Sequence, residues 1–312
     1  MKKNMILVLL LGLSLVSTAF AGENTKEKEF RLAASIGDID TVKLLLDEGV
    51  DVDSGNKFGK SALMMAIEND NVETTALLLA RGADVNAVTV AKCTALTFAA
   101  ENGRATLTAM LLVRGADLTA RARAGWDALT IASRYGITGM VELLLHKGAN
   151  PNLGDKEKRT PLMHAAEKGH TSAVAMLIKG GASLNSRDRH GSTALIIAAD
   201  KGEAAVVDLL LDNSGNINAR DQDGATALIW AVGQGHFNVA ERLIFRKADL
   251  DMQDNDGVTA LMEAASVRSA DLVSLLLRNG ADPSIKNSDG RTAASIAKKK
   301  RNKKVISLLN DN

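Results

Sequence analysis

The residues of this chain that could do chemistry are five histidines, one cysteine and 37 Asp and Glu residues. The histidines are His146, His164, His170, His190 and His236. None forms an HExxH pattern and none lies at ligand spacing from Cys93, so the sequence spells no zinc site. A GxSxG elbow, a P-loop and a dinucleotide-binding glycine pattern are also missing. The carboxylates recur with a fixed period, so no acid–base pair stands apart from the rest. A single cysteine cannot close a disulfide within one chain, and Cys93 reads as an incidental thiol. The expectation is a protein without enzymatic activity, metal or cofactor.

Recognition is the chemistry the sequence does offer. Tyr135 is the only tyrosine and Trp126 is one of two tryptophans, with Arg123 and Arg134 close by. Tyr, Trp and Arg are the residue types over-represented at the energetic centres of protein interfaces. What these residues could do depends on the elements that carry them.

Those elements repeat. Ser61, Thr94, Asp127, Thr160, Thr193, Thr226, Thr259 and Thr292 follow one another at intervals of 33 residues without an insertion. Each can accept a hydrogen bond from the free N–H groups at a helix start. Two residues on stands a leucine in seven of them (Leu63, Leu96, Leu129, Leu162, Leu195, Leu228 and Leu261), and one unit earlier Phe30 takes that place. Alanine pairs such as Ala99-Ala100 and Ala198-Ala199 then let helices approach closely, and Gly37, Gly103, Gly136, Gly169, Gly202 and Gly235 end the first helix. A second apolar helix follows, as in Leu143-Leu144-Leu145, and Gly49, Gly82, Gly115, Gly148, Gly181 and Gly280 close it. Such a unit cannot bury its own apolar face, so the units must stack, with polar caps at the two ends. Only 3% of residues are aromatic while 46% are hydrophobic, a composition suited to thin helices packed on small side chains.

The period, the phrase Thr160-Pro161-Leu162 and the Gly-Ala-Asp closures at 82–84, 115–117 and 280–282 resemble the ankyrin repeat family. The resemblance covers about residues 26–312. It implies an all-α solenoid of stacked helix-turn-helix units with projecting β-turn or hairpin fingers, about nine units in all. Two departures are plain: only Pro161 keeps the proline after the cap, and the family histidine three places after the cap is replaced, by Met64, Met163 and Met262 in three units. The resemblance also implies a concave face made by finger tips and first helices. On it would stand Arg123, Trp126, Arg134 and Tyr135 of one unit, Lys156, Arg159 and Lys168 of the next, and Arg189 and His190 of the one after. The following units offer Gln222, Asp223, Asn255 and Asp256, so the face grades from basic to mildly acidic. Two fingers are irregular: Val88–Cys93 carries Thr89 and Lys92 where others have Asp and Gly, and Arg121–Trp126 has Ala122 for Asp. Trp230, four residues into its first helix region, reads as a packing residue.

The N-terminus is separate. Lys2-Lys3, the apolar run Met5 to Val16 and Ala19-Phe20-Ala21 form a signal-peptide pattern, shorter than the roughly 20 apolar residues of a spanning helix. Residues 1–21 are therefore expected to be removed, leaving a repeat domain of 22–312. Lys2 and Lys3 leave with them, taking Lys+Arg from 38 to 36 against 37 acids, a net charge of −1. That balance lacks the positive field of nucleic-acid binders. The expected protein is a monomeric periplasmic scaffold that binds a folded exported protein, restraining, inhibiting or protecting it; a secreted effector is the first alternative and an enzyme of unknown type the second.

Overall fold

The computed structural model describes residues 24–310; the expected signal peptide lies outside them. No helix of the described residues is long and apolar enough to cross a membrane. Among the described residues eighteen helices follow one another, joined by turns, and no extended strand occurs.

Two compact parts divide at Ala120 and Arg121. The first holds α1 (Thr25–Ile36), α2 (Ile39–Asp47), α3 (Ala62–Glu68), α4 (Val72–Ala80), α5 (Ala95–Glu101) and α6 (Ala105–Val113). In it α1, α3 and α5 form one layer, and α2, α4 and α6 the other. The second part opens with α7 (Ala128–Arg134), α8 (Thr138–His146), α9 (Pro161–Glu167), α10 (Thr171–Lys179), α11 (Ala194–Lys201) and α12 (Ala204–Asp212). It continues with α13 (Ala227–Gly233), α14 (Phe237–Phe245), α15 (Ala260–Ser266), α16 (Ala270–Arg278), α17 (Ala293–Lys299) and α18 (Lys303–Asn310). There the odd-numbered helices pack on one another in order, and so do the even-numbered ones.

Most first helices have 7 residues, far too few to persist alone in water. Caps and burial hold them. The side chain of each of the eight periodic Ser, Thr and Asp residues accepts from the N–H three residues on, as Asp127 does from Thr130 at 2.7 Å. The periodic leucines and Phe30 are buried, with the alanine pairs beside them. The glycines that end the first helices all have φ between 67° and 79°, as expected of a left-handed cap. Where glycine is missing, Asp70, Arg268 and Arg301 are held at φ 58° to 62° in the same role.

In several repeats the residue after that turn ties the helix pair to the one before. His170 Nε2 donates to the Arg134 carbonyl at 3.1 Å, and His236 Nε2 to that of Asp200 at 2.9 Å. Asn71 does the same with Ala34 and Ser35. A second link joins the loops: Asn152 donates to the Gly181 carbonyl and accepts from the Ser183 N–H. Asn86 makes the same pair of bonds with Gly115 and Asp117. Fingers also pair directly despite the absent family histidine, with Arg189 N–H on Glu157 O and Gln222 N–H on His190 O, both 2.9 Å.

Candidate functional site

The finger preceding α9 turns on Asp155. One of its oxygens accepts from the N–H groups of Glu157 and Arg159 at 2.8 and 2.9 Å, which fixes the turn. The other accepts from the Trp126 indole at 3.0 Å and lies 2.9 Å from His164 Nε2. This carboxylate is almost wholly buried, yet four donors surround it. Burial alone would raise its pKa; the bonds from His164, Arg159 and Trp126 outweigh burial and hold it below the ordinary value.

His164 is 2% exposed, on α9. Burial pushes its pKa down, and the neighbouring Arg159 and Arg134 add to that, against the pull of Asp155. The neutral ring then donates from Nε2 to Asp155 and presents Nδ1 to Arg134 at 3.5 Å. Arg134 also lies over the Trp126 ring, 4.9 Å from its centre, and that ring meets His164 edge-on at 5.4 Å. Glu167 binds both Arg134 and Arg159 at 3.2 Å, and Arg159 reaches Asp188 at 3.7 Å. Burial opposes ionisation of Glu167, but Arg159, Lys168 and Arg134 keep it below its usual pKa.

The network holds three of the expected residues against other protein groups. Trp126 is not a bare tip residue: its indole is half-buried against the next finger and hydrogen-bonded to it. Arg134 and Arg159 are half-buried and held by Glu167 rather than free on a docking face. The place one before the cap reaches toward the next finger: there Trp126 meets Asp155, and Arg159 meets Asp188 although its own finger keeps a carboxylate. His164 and Asp155 were missed, because their nine-residue separation carries no ligand or catalytic pattern. Their places could have suggested contact: the residue five before the cap and the one four after it also meet in Asp221 and Trp230, at 2.7 Å. Trp230 in turn is half-buried at the surface, not core.

A histidine on a carboxylate invites a catalytic reading, but both ring nitrogens of His164 are occupied by protein groups, leaving none to take a substrate proton. Among the described residues no group of three His, Cys, Asp or Glu is arranged to hold a metal ion. The network works as a brace. Above it the remaining expected residues are exposed: Arg123, Lys156, Arg189 and His190 at finger tips, and Tyr135 and Lys168 just past first helices. Tyr135 is 51% exposed. Arg189 lies only loosely against Glu157, at 3.8 Å, with both side chains exposed. The exposed surface is thus cationic with one aromatic ring.

No curated protein sequence matches the chain. A family model described as ankyrin repeats, three copies, matches residues 30–122, 107–188, 129–221, 181–254, 206–287 and 228–312. Ankyrin repeats indicate a protein–protein interaction scaffold and are typically not enzymatic. Matched from Phe30 to Asn312 and built of the stacked helix pairs described above, the chain belongs to the ankyrin repeat family.

Proposed function

We propose that this chain is an exported scaffold that grips a folded periplasmic protein and restrains, inhibits or protects it. One observation carries the binding site: Arg123, Tyr135, Lys156, Lys168 and Arg189 stand exposed on neighbouring repeats, above a buried brace that fixes their spacing. A surface ordered before binding loses little conformational freedom on docking, which suits a folded partner. The cationic character selects a partner face bearing carboxylates, and Tyr135 supplies a rigid contact at its centre. Export rests on the signal-peptide pattern of residues 1–21.

The test is affinity capture of a partner identified by mass spectrometry, using wild type and an Arg123→Glu, Lys156→Glu, Arg189→Glu variant. These side chains are exposed, so the variant should fold as wild type does. Wild type is expected to hold one folded protein that the variant loses, and cell fractionation should find both proteins in the periplasm. Equal capture by both would move the site elsewhere. A cytoplasmic location would sink the exported reading.

A further inference from the structure

In the repeat of α13, glycine stands where six other repeats carry a charged side chain and two a serine, Ser35 and Ser266. Seven residues after the cap are Glu68, Glu101, Arg134, Glu167, Asp200 and Lys299 in six other units; after Thr226 it is Gly233. Gly233 is helical, has no positive φ, and a Cβ there would approach nothing nearer than Glu263 Oε2 at 3.6 Å. Neither a turn nor crowding calls for glycine, which costs about 1 kcal/mol relative to alanine in a helix. What the missing side chain leaves is room. A cleft of about 380 Å³ opens there, walled by Trp230, Gly233, Asp254 and Glu263, with Asp223 and Asp256 at its rim. The indole is held in place by its bond to Asp221.

No Lys or Arg lines the cleft, and among the described residues these four carboxylates have no ion-pair partner. Burial and the neighbouring Asp254 raise the Glu263 pKa; Lys300 opposes them without pairing with it. An aromatic wall facing unpaired carboxylates matches a guanidinium, which is planar, weakly hydrated, stacks on indole and forks onto carboxylate oxygens. We infer that the cleft takes an arginine side chain from an exposed loop of a partner protein. This rests on the scaffold reading above and adds to it. The finger tips of this part carry Arg123, Lys156 and Arg189 first, with Glu157 and His190 beside them, then Asp223, Asp256 and Asp289 beside uncharged Gln222, Asn255 and Ser288. Successive tips from Glu157 to Ser288 are joined by backbone hydrogen bonds. The partner's docked surface is therefore dipolar, with carboxylates toward Arg123 and its arginine in the Trp230 cleft.

The chain's two tryptophans, labelled as fluorotryptophan, give two fluorine NMR signals, assigned with Trp230→Phe. The probe is the capped peptide Gly-Arg-Gly, with its neutral citrulline twin as control. The arginine peptide should shift the Trp230 signal saturably and leave Trp126 still, while the citrulline peptide does neither. Glu263→Gln should weaken binding about tenfold, by loss of a charge-assisted hydrogen bond. Gly233→Lys should abolish it by filling the cleft; Arg134 at the equivalent place of an internal repeat shows that the fold accepts a long cationic side chain there. A still Trp230 signal, an equal response to citrulline, or full affinity in Gly233→Lys would overturn the inference. Captured partner separates the two readings. If the Arg123/Lys156/Arg189 variant loses a partner that Gly233→Lys keeps at full affinity, the cleft inference falls and the scaffold stands. If wild type captures nothing while the arginine peptide binds, the scaffold reading falls instead.

Discussion

Replacing Trp126 by alanine should destabilise the protein before it affects any partner. The indole donates to a buried, ionised Asp155, a bond worth about 1.5–3 kcal/mol when one group is charged. Its edge-on contact with His164 and the Arg134 guanidinium over its face each add about 0.5–1 kcal/mol. These contacts share partners and do not simply add, so the expected loss is about 3 kcal/mol. Trp126→Phe keeps the ring and leaves Asp155 one donor short, for about half of that. Tyr135→Ala, next to the same brace but exposed, should stay within about 0.5 kcal/mol of wild type. Urea unfolding followed by circular dichroism tests the series. Repeat stacks can unfold in stages, so the transition should be checked for a new early phase in Trp126→Ala. A midpoint unchanged in that variant, or an equal loss in Tyr135→Ala, would refute the brace.

Four further outcomes follow from the same structure. His164 has a folded pKa below its ordinary 6.5, so in the window between the two the unfolded chain binds the proton more tightly. Its contribution is complete above pH 6.5 and is lost as pH falls toward the folded value; His164→Gln should flatten that slope in stability measured against pH. Arg268→Gly should stabilise by about 1 kcal/mol, since arginine there is held at φ 62°. Gly202→Ala, at φ 79° with a new Cβ 2.8 Å from His236 Nδ1, should destabilise by about 1–2 kcal/mol; melting temperatures read both. The charge-reversed Arg123/Lys156/Arg189 variant should melt within a few degrees of wild type, because surface ion pairs contribute little.

The scaffold was legible because its rules are local and periodic. The cap hydroxyls, the leucine two residues later and the helix-ending glycine each act within one unit, and repetition multiplied the signal. The face was legible only as composition. Tyr135, Arg123 and Lys156 are exposed, as a place at a tip or just past a helix implies. Trp126, Arg134 and Arg159 are half-buried, because their partners lie a repeat away or across a finger. Whether a guanidinium is free depends on where Glu167 points, and periodicity does not encode that. The Gly233 opening was hidden for a different reason: an absent side chain leaves no motif. It became meaningful only when Trp230 and Glu263 were seen to face the vacated space.

The paired bonds of Asn86 and Asn152 have one more consequence. Each joins a position in one unit to equivalent positions in the next, so the pattern is indifferent to which unit comes before it. Copying or deleting a whole 33-residue segment remakes the same bonds at the seam. Array length can therefore change in a single genetic step without inventing an interface. Two contact points carried on different units can move apart or together only in whole-unit steps, as marks on a ruler do. A protein built this way can adapt to a partner of a new size by counting rather than by redesign.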